Sequence, residues 1–126
     1  MKTDLNANRF FEKRSYPQTP DDWSPVIIAC GIKTPENIGH LIRIAGNTGA
    51  RQVLAVHAGT LLRATKINRI AGAAGSVVRC SFCTAEELPA LLPSDYKIVA
   101  LETAPASINL FETQLPVKMA LMVGNE

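Results

Sequence analysis

Five short, largely apolar runs divide the sequence after residue 25. A run of four to six such residues is typical of a strand that is buried on both faces of a sheet. The pattern therefore predicts five strands, at Val26–Cys30, Val53–Val56, Val77–Phe82, Lys97–Leu101 and Met119–Val123.

Between these runs the apolar residues recur every three or four positions, which predicts helices. The helix after the first strand is the best defined, since Thr34 can cap its free amides, Pro35 suits its first position and Gly49 can end it. Its apolar face would comprise Ile38, Leu41, Ile42 and Ala45. Further helices are predicted at Ala64–Ala74 and from Thr84 to Pro93, with a helical turn at Ser107–Glu112.

Strands and helices alternate, so we expect an α/β fold with a mostly parallel sheet and helices on both faces. Residues 26–126 would form this domain. Residues 1–25 would be an irregular or partly helical N-terminal extension, because Pro17, Pro20 and Pro25 interrupt it. Ligands of such sheets bind beyond the carboxyl ends of the strands, so we expect a site in the loops after strands one, four and five.

Composition narrows the class of protein. The 126 residues suffice for one domain, and 47% apolar with 6% aromatic residues predict an aliphatic core. No run approaches the roughly 20 apolar residues of a membrane span, and the charged first residues do not resemble a secretory signal. Three cysteines in such a chain are expected to be reduced, so we expect a cytoplasmic protein without membrane contact.

Charge is unevenly distributed, although the net charge is only +2. Residues 33–79 carry seven basic side chains against Glu36 alone, whereas residues 80–126 carry an excess of acidic ones. On the polar face of the first predicted helix, Glu36, His40, Arg43 and Asn47 form one stripe at helical spacing. Such a basic stretch suits contact with phosphate groups, but ordinary solvated helix faces would give the same pattern.

Metal-binding and phosphate-binding patterns are weak in this sequence. Cys80 and Cys83 have the spacing of a metal pair, but on a strand they would point to opposite faces. Buried structural thiols are therefore favoured, and no metal is expected. His40 and His57 have no second ligand at metal spacing. The turn Gly72–Ser76 fits either a phosphate cradle or a close-packed helix end.

Two segments in combination resemble motifs of the SpoU family of RNA 2′-O-ribose methyltransferases, within the knotted SPOUT superfamily. The first is Pro35–Ala50, where an asparagine and a glycine precede an arginine and a further glycine closes the helix. The second is Ala120–Glu126, an apolar strand that ends in glycine, asparagine and glutamate. The looser match Arg69–Ala74 lies between them, so the resemblance covers about residues 24–126.

The resemblance implies a SPOUT-like fold, S-adenosylmethionine as cofactor and a ribose hydroxyl of tRNA or rRNA as acceptor. Arg43 would be the catalytic arginine, and Asn37 and Glu126 would complete the site. A guanidinium stays protonated and is a poor base, so we expect Arg43 to grip the neighbouring phosphate and polarise the hydroxyl. A phosphate oxygen or a water molecule would then take the proton.

The same resemblance implies which residues touch the ligands. The cofactor would contact the loop after strand four and the end of strand five, at Leu101, Glu102, Thr103, Gly124 and Asn125. RNA would contact the basic residues of the first two helices, at Arg43, Arg63, Lys66 and Arg69.

One departure from the family is serious. The family continues past the glutamate with a third motif that carries serine and asparagine, threads the knot and builds much of a dimer interface, and the 126 residues do not contain it. The chain would then be either a fragment of a longer protein or a degenerate relative. We expect it to bind cofactor poorly and to be nearly inactive, whereas a full-length protein would be a homodimer. Two alternatives stay open: a non-catalytic RNA-binding module of the same fold, and a generic α/β nucleotide-binding domain.

Overall fold

The computed structural model describes residues 24–57 and 62–124, and strands alternate with helices throughout this part of the chain. Apart from Ser24 and Pro25, the predicted N-terminal extension lies outside the described residues. The elements follow in the order β1 (Val26–Cys30), α1 (Pro35–Thr48), β2 (Gln52–Val56), α2 (Ala64–Ala71), a 3₁₀ turn (Gly72–Ser76), β3 (Arg79–Cys83), α3 (Leu88–Leu91), β4 (Lys97–Ala100), a second 3₁₀ turn (Leu110–Glu112) and β5 (Met119–Gly124).

The five strands form one parallel sheet in the order β3-β2-β1-β5-β4. The first strand therefore lies at the centre, between β2 and the last strand. The register places Val26 beside Gln52 on one side and beside Ala120 on the other. The chain thus builds one half of the sheet, crosses to the far edge after β3 and returns to the centre with β5.

Helices cover both faces of the sheet, as the alternation of elements predicts. On one face, Ile27 and Ala29 pack against the buried residues of α1 and α2, including Ile38, Ile42 and Ile67. On the other face lies a second core built around β1, β2 and α3, with Val26, Ile28, Leu54, Cys83, Leu88 and Ala120. Both faces of β1 are thus buried, which explains why its sequence is continuously apolar.

Local signals at both ends define α1. The side chain of Thr34 accepts a hydrogen bond from the Asn37 amide, and Pro35 occupies the first turn, where its missing N–H costs nothing. Gly49 ends the helix in the left-handed conformation, with φ of 85°. These observations confirm the predicted start and end of the helix.

Several predicted boundaries were wrong. The second helix ends at Ala71, because the chain turns at Gly72 into a 3₁₀ turn that continues to Ser76. The third strand begins at Arg79, because the Val77 amide bonds the Ala74 carbonyl and still belongs to that turn. The third helix spans only Leu88–Leu91, preceded by a turn in which Thr84 accepts a hydrogen bond from the Glu87 amide.

A pair of hydrogen bonds ties the start of β1 to two distant segments. The Ser24 hydroxyl donates to the Gly49 carbonyl at 2.8 Å, and the Tyr96 hydroxyl donates to the Ser24 carbonyl at 2.6 Å. The end of α1 and the loop before β4 are thereby fixed to the same point. None of the helices in the described ranges is both long and apolar enough to cross a membrane.

Candidate active site

The carboxyl ends of β1, β5 and β4 lie side by side and form the edge at which a site was expected. Cys30 stands in register with Gly124, and the Leu101 amide donates to the Met122 carbonyl at 2.9 Å, which extends the pairing of β4 by one residue. The loop that follows β4 therefore begins two strands away from the loop that follows β1. Ligands of open α/β sheets bind beyond the carboxyl ends of the strands, which is where these loops lie.

The first turn of α1 reaches this edge directly from β1. Gly31 leaves the strand with φ of 66°, a conformation that suits glycine, and its amide donates to the Val56 carbonyl. Thr34 then caps the helix and Asn37 lies in its first turn with an exposed side chain. The structure thus places Asn37 near the end of β1, where its amide group faces solvent and can bond a ligand hydroxyl.

Arg43 lies farther along the same helix. At about 1.5 Å of rise per residue it stands about 9 Å from Asn37 along the axis. Arg43 follows Glu36 by seven positions, close to two helical turns, which puts those two residues on one stripe. Asn37 is rotated about the helix axis by about 100° from Glu36. Arg43 is exposed, so its guanidinium is accessible to a phosphate, but it does not share a face of the helix with Asn37.

In the polar stripe of α1, fewer side chains are available to a ligand than the sequence indicates. The Asn47 side chain donates through Nδ2 to the Arg43 carbonyl at 3.0 Å, so it bonds within its own helix. The Thr48 hydroxyl does the same with the Ile44 carbonyl at 2.9 Å. Glu36, His40 and Arg43 are the exposed residues of the stripe that remain for a ligand.

The loop after β4 is braced by a serine that the sequence analysis did not single out. The Ser107 hydroxyl accepts from the Ala104 amide and donates to the Glu102 carbonyl, both at 3.0 Å. The Glu102 carboxylate in turn accepts from the Thr103 amide at 2.9 Å. Serine often bonds nearby backbone groups. Ser107, three residues after Ala104, was therefore the signal in the sequence that could have revealed this brace.

The residues expected at the cofactor stand on this loop and on β5. Leu101, Glu102, Thr103 and Gly124 are all exposed, and Leu101 keeps 53% of its surface accessible. A Cβ added at Gly124 would meet only the Cys30 carbonyl oxygen, at 3.9 Å, so the backbone there is open to a ligand. Asn125, also expected at the cofactor, and Glu126, expected to be catalytic, lie outside the described residues.

The basic residues of α2 lie on the same face of the sheet as α1. Arg63, Lys66 and Arg69 are exposed, and Arg63 immediately precedes the helix at its carboxyl-edge end. The two helices pack closely, because Gly39 of α1 lies directly against Ile70 of α2. The two helices that carry these cations therefore lie next to each other on that face.

The cysteines have the character of structural thiols. Cys80 packs against the core under α1 and α2, whereas Cys83 is buried in the core under α3, so the two point to opposite faces as the strand pattern predicts. Burial raises the pKa of the Cys80 thiol, and burial together with the nearby Glu87 charge raises the pKa of Cys83. Both effects disfavour the thiolate that a nucleophile or a metal ligand needs. Within residues 24–57 and 62–124, no group of three or more potential ligands could hold a metal ion.

Several apolar side chains are exposed on the segment between β4 and β5. The most exposed are Ile108, Phe111 and Val117, at 73%, 95% and 70%. Leu110 of the same segment and Ile98 of β4 are each 48% exposed. So many exposed apolar side chains are unusual for a segment in contact with water only.

Comparison with known proteins identifies the family. The model of the SpoU rRNA Methylase family matches residues 24–126. The fold is similar to that of an RNA 2′-O ribose methyltransferase, with 25% identity and a TM-score of 0.66 over 90% of this chain and 43% of that one. Among curated proteins, none matches the sequence significantly.

Two further solved structures share the fold. A TrmH/SpoU tRNA modifying enzyme of A. aeolicus has 20% identity and a TM-score of 0.67, over 94% of this chain and 57% of that one. A structure described as giving insight into the 2-OH methylation of C/U34 on tRNA has 18% identity and a TM-score of 0.67, over 80% of this chain and 66% of that one. The chain thus spans between 43% and 66% of the length of these three structures.

Proposed function

Because the chain belongs to the SpoU rRNA methylase family, we propose that it forms part of an enzyme that methylates the 2′-hydroxyl of a ribose in tRNA or rRNA. The proposal rests on the meeting of three segments at one edge of the sheet: the first turn of α1, the end of β5 and the braced loop after β4. The likeness to an RNA 2′-O ribose methyltransferase supports the choice of acceptor.

The proposed cofactor is S-adenosylmethionine, and the residues at the edge fit it. The exposed apolar side chain of Leu101 offers a surface for the adenine ring, and the Glu102 carboxylate offers an acceptor for hydroxyl or ammonium groups. Thr103, Gly124 and Asn125 would complete the contact. When bound, S-adenosylmethionine supplies an electrophilic methyl group on a sulfonium centre.

The proposed roles of the chain's own residues concern the acceptor ribose. Asn37, in the first turn of α1, would bond the ribose and orient it. Arg43 would hold the adjacent phosphate and polarise the 2′-hydroxyl, since its exposed guanidinium can bond phosphate oxygens through two N–H groups. Glu126 would complete the catalytic set. The proton of the hydroxyl would pass to a phosphate oxygen or to water, because Arg43 stays protonated.

Arg43 and Asn37 stand on different faces of α1, about 9 Å apart along the helix axis. Contact with both residues therefore suits a ligand that extends along the helix. A polynucleotide does so, because its successive phosphates provide several points of contact. The geometry is compatible with RNA, and the salt dependence of RNA binding distinguishes RNA from the free nucleotide of the generic alternative.

We further propose that RNA contacts the common surface of α1 and α2 through Arg43, Arg63, Lys66 and Arg69. The test measures binding of a labelled RNA by fluorescence anisotropy at several salt concentrations. We expect Arg43→Ala and Arg63→Ala each to weaken binding and to reduce the salt dependence, by a slope of about 0.7 to 0.9 per lost phosphate contact. Unaltered binding in both variants would remove the role proposed for this surface.

The exposure of the cofactor residues predicts that these 126 residues bind S-adenosylmethionine weakly and transfer few methyl groups. A ligand at Leu101, Glu102 and Gly124 would be covered on one side only by the described residues. Isothermal titration tests this directly, and micromolar binding would contradict it. A non-catalytic RNA-binding module would bind RNA but no cofactor, even after the third-motif segment of the family is appended.

Methyl transfer itself is tested on the chain with the family's third-motif segment appended. The substrates are labelled S-adenosylmethionine and tRNA or rRNA transcripts. Transfer that disappears when the target ribose is replaced by 2′-deoxyribose would support the proposed acceptor. Transfer that persists would place the methyl group on a base instead. We propose that the complete protein acts in the cytoplasm as a homodimer.

A further inference from the structure

Basic side chains also lie at the opposite edge of the sheet, where the strands begin. Four of the five strands carry one there: Arg79 begins β3, Arg51 precedes β2, Lys118 precedes β5 and Lys97 begins β4. We call these four residues the amino-edge row. The proposed RNA surface on α1 and α2 does not include any of them.

The backbone fixes the amino-edge row in two matched pairs. The Arg79 amide donates to the Arg51 carbonyl at 2.8 Å, and the Lys97 amide donates to the Lys118 carbonyl at 3.0 Å. One pair therefore stands on each side of the central strand β1. With about 4.8 Å between neighbouring strands, the row extends over about 19 Å.

Side chains of the row are directed to both faces of the sheet. Arg79 and Cys83 lie an even number of residues apart on β3, so Arg79 is directed to the face covered by α3. Lys97 is in register with Met119, one residue before the buried Ala120, and is directed to the face of α1. Arg79 and Lys97 are exposed and Lys118 is half-buried, so their charged ends can extend beyond the edge.

The described loops that lead into the strands contain one carboxylate, Asp95 in the loop before β4. Its φ of 70° shows that the loop turns sharply two residues before Lys97. Asp21 and Asp22 precede β1 in the sequence and lie outside the described residues.

We propose that the amino-edge row contacts the phosphate backbone of the same RNA that the carboxyl edge acts on, an inference that rests on the proposed function. Strands of about five residues separate the two edges by about 17 Å, at 3.3 Å per residue. A folded RNA can span this distance. The row would therefore position the body of the RNA without reading its sequence, as phosphate contacts do.

The test compares two variants that lower the net charge equally. Arg79→Gln/Lys97→Gln removes one cation from each pair, and Ala85→Glu/Ala90→Glu adds the same charge difference at exposed positions in and just before α3, outside the row. Binding of a labelled single-stranded RNA and of a tRNA transcript is measured by anisotropy between 50 and 200 mM salt, a range over which phosphate contacts dominate the change. Circular dichroism verifies that each variant is folded.

We expect the Arg79→Gln/Lys97→Gln variant to bind RNA at least several-fold more weakly, with the slope of log affinity against log salt reduced by about 1.4 for the single strand. Arg79→Lys/Lys97→Arg should keep the wild-type slope. The inference is overturned if the Gln variant binds normally, or if the Glu control loses as much affinity, since the effect would then reflect net charge alone.

The outcomes also separate this inference from the proposed function. If Arg43→Ala weakens RNA binding and the Arg79→Gln/Lys97→Gln variant does not, the row has no role and the carboxyl-edge proposal stands. If the wild-type chain binds vesicles of anionic lipid through the row but no RNA, both fail. Loss of binding in both sets of variants supports both surfaces.

Discussion

Gly39 and Ile70 lie so close together that α1 and α2 have no space for a side chain between them. A Cβ placed on Gly39 would fall 2.5 Å from the Cβ of Ile70 and 2.7 Å from its Cγ2. It would also stand 3.1 Å from the Ile67 backbone oxygen. The Ile70 Cβ is attached directly to the backbone, so it cannot move aside by a change of rotamer.

We expect Gly39→Ala to destabilise the protein by about 1–3 kcal/mol, the usual cost of overpacking. Urea denaturation followed by circular dichroism measures this. The matched control is Gly75→Ala, because a Cβ there would meet only the Ala71 Cβ at 3.7 Å, an ordinary contact. That variant should be unchanged or up to about 1 kcal/mol more stable. Equal stability of the two variants would contradict the close packing of α1 and α2.

The brace made by Ser107 predicts a local effect on the loop after β4. Ser107→Ala removes the acceptor of the Ala104 amide and the donor to the Glu102 carbonyl. We expect faster hydrogen exchange at Ala104, by a factor that corresponds to about 0.5–1.5 kcal/mol for the lost hydrogen bond. As a control, Thr113→Val removes the hydroxyl that donates to the Asn109 carbonyl at 2.7 Å and should leave Ala104 unchanged. Exchange at Ala104 that is the same in all three proteins would show that the brace does not order the loop.

The exposed apolar side chains of Ile108, Phe111 and Val117 predict that the 126-residue chain self-associates. Phe111 is 95% exposed, and burying its ring against another apolar surface is favourable because it removes apolar area from water. Sedimentation velocity should show association that rises with concentration and is strongly reduced in Phe111→Ser/Val117→Ser. Val77→Ser, at an exposed apolar residue beside β3, should associate like the wild type. A chain that stays monomeric at all concentrations would show that these exposed side chains do not cause self-association.

The buried thiols predict how stability changes with pH. Burial raises the pKa of Cys80 and Cys83 above the ordinary value of 9.0, so the folded state keeps both protons after the unfolded state has begun to lose them. The free energy of unfolding should therefore fall as the pH rises above about 9. Urea titrations between pH 8 and 10 measure the slope, and Cys80→Ala/Cys83→Ala should have a shallower one. An unchanged slope in that variant would assign the pH dependence to other groups.

Local sequence signals predicted α1 well because its limits depend on a few neighbouring residues. Thr34, Pro35 and Gly49 each act within one turn of the helix, so their effect can be read without the rest of the fold. The start of β3 was harder to predict. Val77 has the side chain of a strand residue, yet its amide completes the turn begun at Gly72. Hydrogen bonds inside that turn decide its conformation, and the apolar pattern does not record them.

In the candidate site, too, local sequence predicted some positions, and others depend on the whole fold. The positions of Asn37 and Arg43 could be predicted because both stand on one helix, where spacing determines position, whereas their roles stay predictions. The closeness of Cys30, Gly124 and Leu101 depends on the order of the strands, which no local pattern specifies. Ser107 was missed for a related reason, since its partners are backbone groups whose positions depend on the conformation of the whole loop.

The pairing of β1 with β5 has a consequence for how the chain reaches its fold. Val26 and Ala120 are neighbours in the sheet although nearly the whole described chain separates them. During synthesis β1 can pair with β2 early, but its other edge must wait for the last strand to leave the ribosome. Such distant parallel pairing makes folding slow and leaves an apolar strand edge uncovered meanwhile. We therefore expect the nascent chain to be a chaperone client until residue 124 has emerged.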